Sequence, residues 1–222
     1  LNLGANRAVD DMLHVVYSRN IRVQNFVLSN ALSDAIDIDI SEVRFLDGKI
    51  NNSRNDGIDL MSSSALIQNV AINNSGDKGI SVGERSNIFV YSSILKNNKI
   101  GVESKDASQL RILQSDLIRN KLHVNAYRKN WRYGSGGNIS LEKSILVGAN
   151  DNVKADKRSK IFIFDSMLKP LPKKSKRIKI DIYSDSRSTK KAKSNSFVPD
   201  HMDFIEKYEL QVSPNTRGVV NE

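Results

Sequence analysis

One spacing constrains this chain more than its composition does. An apolar triplet with internal steps of +2 and +5 recurs as Ile21/Val23/Leu28, Val43/Phe45/Ile50, Ala65/Ile67/Ile72, Ile88/Val90/Leu95, Leu110/Ile112/Leu117, Ile139/Leu141/Leu146 and Ile161/Ile163/Leu168. The first members stand 22, 22, 23, 22, 29 and 22 residues apart. A second pair runs in phase: Ile36/Ile38, Ile58/Leu60, Ile80/Val82, Val102/Ser104, Val124/Ala126 and Val153/Ala155, at steps of 22, 22, 22, 22 and 29. Residues two apart share one face of a strand, and the +3/+4 rhythm of a helix is nowhere sustained. Each repeat is therefore two or three short strands joined by polar turns. One such unit cannot bury its own apolar face, but a stack of them can.

The turns carry their own regularity. Asn30, Asn52, Asn74 and Asn97 form a column whose amides can bond from one coil to the next. Ala35, Gly57, Gly79 and Gly101 form another, at a corner with little room for side chains. A leucine-rich horseshoe would need an LxxLxL core and a helix in every repeat, and neither is present. The repeats from about Leu13 to Leu168 instead resemble a right-handed parallel β-helix of the pectin-lyase-like superfamily. The resemblance implies an all-β solenoid of about seven coils, with residues 1–170 as the β-helix and 171–222 as a basic linker and C-terminal capping segment.

The charge is lopsided. The formal net charge is +9, yet the stretch from Lys169 to Lys193 alone holds ten Lys or Arg against two Asp, a net of +8. The repeats are thus close to neutral. Aromatic residues are not interleaved with the basic run, so no nucleic-acid partner is expected. There is no cysteine, which removes disulfides and thiolate chemistry. No apolar run is long enough to span a bilayer. Residue 1 is Leu, and the expectation is that an N-terminal part of a larger chain precedes it, with the whole at the cell surface or outside the cell.

Between the buried residues lies an outward column: Asp37, Asp59, Ser81, Glu103, Asn125. One strand position on runs Asp39, Met61, Gly83, Lys105, Tyr127. Stacked acids repel unless one is protonated or a cation lies between them. Asp37, Asp59 and Glu103 are therefore the candidate metal ligands, and an oxygen-only set suits calcium. The competing reading is a solvated stripe balanced by Lys78, Lys99 and Lys105.

Short motifs on the same sheet are similar to those of polygalacturonases. NDG at 55–57 resembles their NTD, and GDK at 76–78 resembles GDD with Lys78 in place of its second Asp. ESK at 103–105 resembles RIK and keeps the lysine, whereas no GHG is present. The resemblance places catalytic acids among Asp56, Asp59 and Asp77. In lyases of similar fold, a Lys or Arg takes the proton next to a neutralised uronate, which nominates Lys105 or Arg128. The 29-residue coil adds AYRKNWRYGSGG, from Ala126 to Gly137, with the only Trp of the chain. Long loops on a regular scaffold carry function, so Lys78, Tyr127, Lys129, Trp131, Arg132 and Tyr133 are the candidate substrate-binding residues. The expectation is a carbohydrate-active chain that binds, and cleaves or epimerises, an acidic polysaccharide. The alternative is a non-catalytic surface, adhesin or structural module.

Overall fold

A computed structural model of the chain describes residues 2–4, 10–172 and 175–181. Every strand pairing between its named strands is parallel, and each coil lies on the one before it. Seven short strands form one sheet in the order Leu13–Val16, Ile36–Asp39, Ile58–Met61, Lys78–Gly83, Ile100–Lys105, Leu122–Tyr127 and Asp151–Ala155. The remaining strands form a 13-stranded sheet. In the early coils that sheet is built from single long strands, Ile21–Ser29, Glu42–Asn51 and Ser64–Asn73. From the next coil onward the long strand divides, as in Asn87–Tyr91 and Ile94–Lys96, both of which pair with Ser64–Asn73. The division falls where the chain bends. Asn25, Asp47, Asn69, Ser92, Gln114, Lys143 and Asp165 each take φ between 41° and 55° at this corner.

The triplets do what their spacing implies. From Leu28 onward every member is buried, and the column Ile36, Ile58, Ile80, Val102, Val124 is fully enclosed at 0 % exposure. The register follows the sequence period: Ile36 pairs with Ile58, Ile58 with Ile80, Ile80 with Val102 and Val102 with Val124. The asparagine column also forms. Asn52 Nδ2 donates to Asn30 Oδ1 at 3.1 Å and Asn74 Nδ2 to Asn52 Oδ1 at 2.8 Å. The last rung departs from the column, because Asn97 Nδ2 donates to Asn73 Oδ1 at 2.9 Å.

Two serine ladders close the other corners. The amides of Ser18, Ser41, Ser63 and Ser86 donate in turn to the hydroxyls of Ser41, Ser63, Ser86 and Ser108. The amides of Val70, Ser93, Ser115 and Ser144 donate to the hydroxyls of Ser93, Ser115, Ser144 and Ser166. Buried amides at tight corners would otherwise be unpaired, and each ladder satisfies them without lengthening the turn. The 13-stranded sheet does not stop at residue 170. The strand Ile178–Asp181 adds to Lys160–Phe164 and continues it. The expected linker and cap beyond Asp181 lie outside the described residues.

Candidate functional site

The outer face of the seven-stranded sheet carries the chemistry, and register fixes its order. His14, Asp37, Asp59, Ser81, Glu103, Asn125 and Lys154 lie on successive rungs. Equivalent atoms on neighbouring rungs sit roughly 4.8 Å apart. The first coils are acidic and the middle is a buried polar network. The last coils are edged by the basic insertion.

The middle of the face is buried, with Ser81, Glu103 and Lys105 all enclosed. Gly83 has no side chain, and the Lys105 stem crosses the space that one would occupy: a Cβ there would stand 2.7 Å from Lys105 Cε. The stem runs back one coil, so that Nζ donates to Ser81 Oγ at 2.9 Å, and Lys105 is left only 6 % exposed. Glu103, 2 % exposed, accepts from Asn125 Nδ2 at 2.8 Å through Oε2. Its other oxygen, Oε1, is buried without a well-formed hydrogen bond. Burial first, then the charge of Glu103 and a hydrogen-bonding contact with it, push the Tyr127 phenol up to about 12, so it stays protonated. A cavity of about 320 Å³ opens here, lined by Glu103, Asn125, Tyr127, Lys154 and Asp156.

The insertion is tied down at its base. Asp106 Oδ1 accepts the amides of Lys129 and Asn130 at 2.8 and 2.7 Å, and Asp156 Oδ2 accepts that of Arg128 at 3.0 Å. Gly137 closes the loop on the carbonyl of Tyr127 at 3.2 Å. Only glycine fits there, since a Cβ would stand 2.0 Å from the Ser104 carbonyl oxygen. Between these anchors, Trp131–Tyr133 forms a single 3-10 turn. Trp131 is 75 % exposed, with the Arg132 guanidinium 6.0 Å from its ring. Arg85 lies 5.6 Å from the Tyr133 ring. Arg128 and Arg158 both reach the Gly134 carbonyl, at 3.5 and 3.2 Å.

The carboxylates expected to be catalytic are not gathered around one reacting point. Asp56 is 2 % exposed and faces into its turn, where Oδ1 accepts the Lys78 amide at 2.8 Å. It belongs to a ladder in which Asp11 accepts the amide of Asp34 and Asp34 that of Asp56. A side chain so enclosed has no surface for a substrate, so Asp56 serves the turn. Burial pushes its carboxyl up to about 7, against the pull of Lys78. Asp77 accepts a hydrogen bond from Lys78 Nζ and has Lys99 Nζ at 3.2 Å. Burial acts to raise its pKa, but the two ammonium groups outweigh it and hold the carboxyl below its usual range. Lys78 rises in turn: burial acts to lower it, but Asp77, Asp56 and Glu103 prevail. Asp59 stays half-buried on the outer face, and Arg128 points into its own loop.

The expected metal ligands separate as well. Ser81 stands between Asp59 and Glu103 in register, so the latter two are two rungs apart, roughly 10 Å. The Glu103 carboxylate also turns the other way, towards Asn125. One ion cannot be shared by Asp37, Asp59 and Glu103. Asp37 instead has His14 and Asp39 as neighbours, with His14 Nε2 at 3.5 Å from Asp37 Oδ2 and 3.2 Å from Asp39 Oδ2. Burial first, and then the Asp39 charge, push the Asp37 carboxyl up to about 6. His14 was legible: Leu13 and Val15 repeat Ile36 and Ile38 at a step of 23. Lys154 and Asp156 could have been found by continuing the outward columns one coil past Asn125 and Tyr127.

The sequence matches a family model described as a right handed beta helix region over residues 8–157, more than half of the chain. No curated protein matches it. No helix among the described residues is long and apolar enough to cross a membrane.

Proposed function

The chain belongs to the family of right-handed β-helix regions, and from that premise we propose that the outer face of its seven-stranded sheet binds an acidic polysaccharide. By this proposal the chain is akin to the pectin-lyase-like superfamily and meets its glycan outside the cell or at its surface. The cavity beside Glu103 carries the reading. Glu103 Oε1 is buried without a well-formed hydrogen bond, although the Tyr127 phenol interacts with this carboxylate, and a sugar hydroxyl would supply the missing donor. Lys154 stands exposed at the same cavity and would meet a uronate carboxylate. Trp131 offers an open aromatic face a short way along the insertion, suited to the apolar side of a sugar ring. A solenoid face is open at both ends, so a polymer can lie across several coils.

Binding, rather than hydrolysis, is the activity that this site supports. Inverting hydrolysis needs one carboxyl to protonate the leaving group and another to activate water. Asp56 is enclosed in its turn and Asp77 is neutralised by two lysines, so neither is free for such a role. Elimination would fall to Lys105, the register partner of Tyr127, whose ammonium is held by the Ser81 hydroxyl on the same face.

Calorimetry against a panel of uronic-acid oligomers, with neutral glucans as controls, tests this. The acidic oligomers bind and the neutral ones do not. Lys154→Ala and Trp131→Ala each weaken binding by about tenfold, the cost of one charge-assisted contact or one stacking platform, without shifting the melting temperature. Absence of binding to every acidic oligomer, or equal binding by both variants, overturns the proposal. Ultraviolet detection of unsaturated product separates elimination from binding, and any such product disappears in Lys105→Ala while affinity remains.

A further inference from the structure

We propose that His14, Asp37 and Asp39 form a binding site for a divalent transition-metal ion on the first rungs of the outer face. His14 is the register partner of Asp37, and Asp39 follows two residues later, on the same face of the strand. One ligand-capable atom from each of the three lies within 4.8 Å of the other two. The two closest approaches, 3.2 and 3.5 Å, have a particular meaning. Ligands held at about 2.0–2.1 Å from one ion in a tetrahedral array stand about 3.3–3.4 Å from each other. The His14 nitrogen stands near such a separation from each of the two carboxylate oxygens, and the shorter contact is a hydrogen bond between His14 Nε2 and Asp39 Oδ2 that a shared ion would replace.

Charge points the same way. Asp59 is the register partner of Asp37 on the next rung, so a third negative charge lies near the two carboxylates that flank the imidazole. Among the described residues no Lys or Arg forms an ion pair with Asp37, Asp39 or Asp59. By contrast, Asp77, in a later coil, is held by both Lys78 and Lys99. The fold neutralises one acidic group with lysines and leaves the other with a histidine. A mixed nitrogen and oxygen set suits zinc and its neighbours, whereas calcium takes oxygen ligands. His14 is 47 % exposed at its side chain, so water can complete the coordination. An ion there would clamp Leu13–Val16 to Ile36–Asp39, its one partner strand among the described residues.

The site lies at the opposite end of the sheet from the Glu103 cavity and does not depend on glycan binding. Zinc chloride titrated calorimetrically into the full, tag-free chain after chelator treatment tests it. One Zn2+ binds per chain and raises the melting temperature. His14→Ala and Asp39→Asn each weaken binding by about tenfold or more, while both melt like the parent in chelator. Excess Ca2+ does not displace the zinc. Three outcomes overturn the proposal: no saturable Zn2+ binding, equal binding in both variants, or competition by Ca2+ at similar concentration. Asp39→Asn is nearly isosteric and keeps the test decisive even if His14→Ala fails to fold.

Discussion

Ile80→Asp leaves the chain without a cooperative thermal transition by circular dichroism at neutral pH. Ile80 is 0 % exposed and sits between Ile58 and Val102 in the central column. Deleting a buried aliphatic side chain costs about 2–5 kcal/mol. An unpaired carboxylate in its place adds several more, or else must be protonated to stay inside. A domain of this kind has about 5–15 kcal/mol in all. The stack also transmits the damage, because each coil is supported only by its two neighbours. Met61→Asp is the matching control: Met61 is 37 % exposed, and that variant melts close to the parent. A parent-like melt for Ile80→Asp would remove the buried column from the account of this fold.

The second large effect concerns acid and base. The Asp56 carboxyl is pushed up to about 7 in the folded chain by burial, far above its value in an unfolded one. The folded state then holds that proton more tightly than the unfolded state does. The resulting stabilisation is fully present below about pH 4 and is lost as pH rises through 7. Asp56→Asn keeps an oxygen for the Lys78 amide but removes the titration. Asp37, displaced in the same direction, is common to both chains and cancels in the comparison. The parent therefore loses about 2–3 kcal/mol more stability than Asp56→Asn between pH 5 and pH 8, at about 1.4 kcal/mol per unit of displacement. Urea titrations at the two pH values measure this, and parallel losses in the two chains would contradict it.

The sequence revealed the core because a repeat multiplies every local signal. A single Ile-x-Val pair is ambiguous, but seven in phase leave little choice of architecture. The outward column was equally legible as a column, and register places Asp37, Asp59, Ser81, Glu103 and Asn125 as the spacing implied. What spacing could not give was the direction taken by each long side chain. Lys105 reads as a free cation, yet it lies along Gly83 to reach Ser81. Asp56 reads as part of a catalytic motif, yet it folds back to hold a backbone amide. Glu103 reads as a partner for Asp59, yet it turns to Asn125. These outcomes depend on which neighbour offers space or a hydrogen bond, and that is decided between coils rather than within one.

The serine ladders give the stack a chemical polarity. In every rung the amide belongs to the earlier coil and the accepting hydroxyl to the later one. The hydroxyls of Ser41, Ser63, Ser93, Ser115, Ser144 and Ser166 also spend their own hydrogen on a carbonyl two residues back. Shortening the chain from its beginning therefore removes donors and leaves each surviving serine with its own bond intact. Shortening it from the other end strips the hydroxyl from an enclosed amide, which then has nothing to bind, and orphaned buried amides are among the defects folded proteins tolerate least. The two ends are thus not equivalent as places to cut: a cut at either end breaks main-chain pairs, such as that from the Glu42 amide to the Ser18 carbonyl, but only a cut from the back also strips the serine hydroxyl from an amide of the coil that remains.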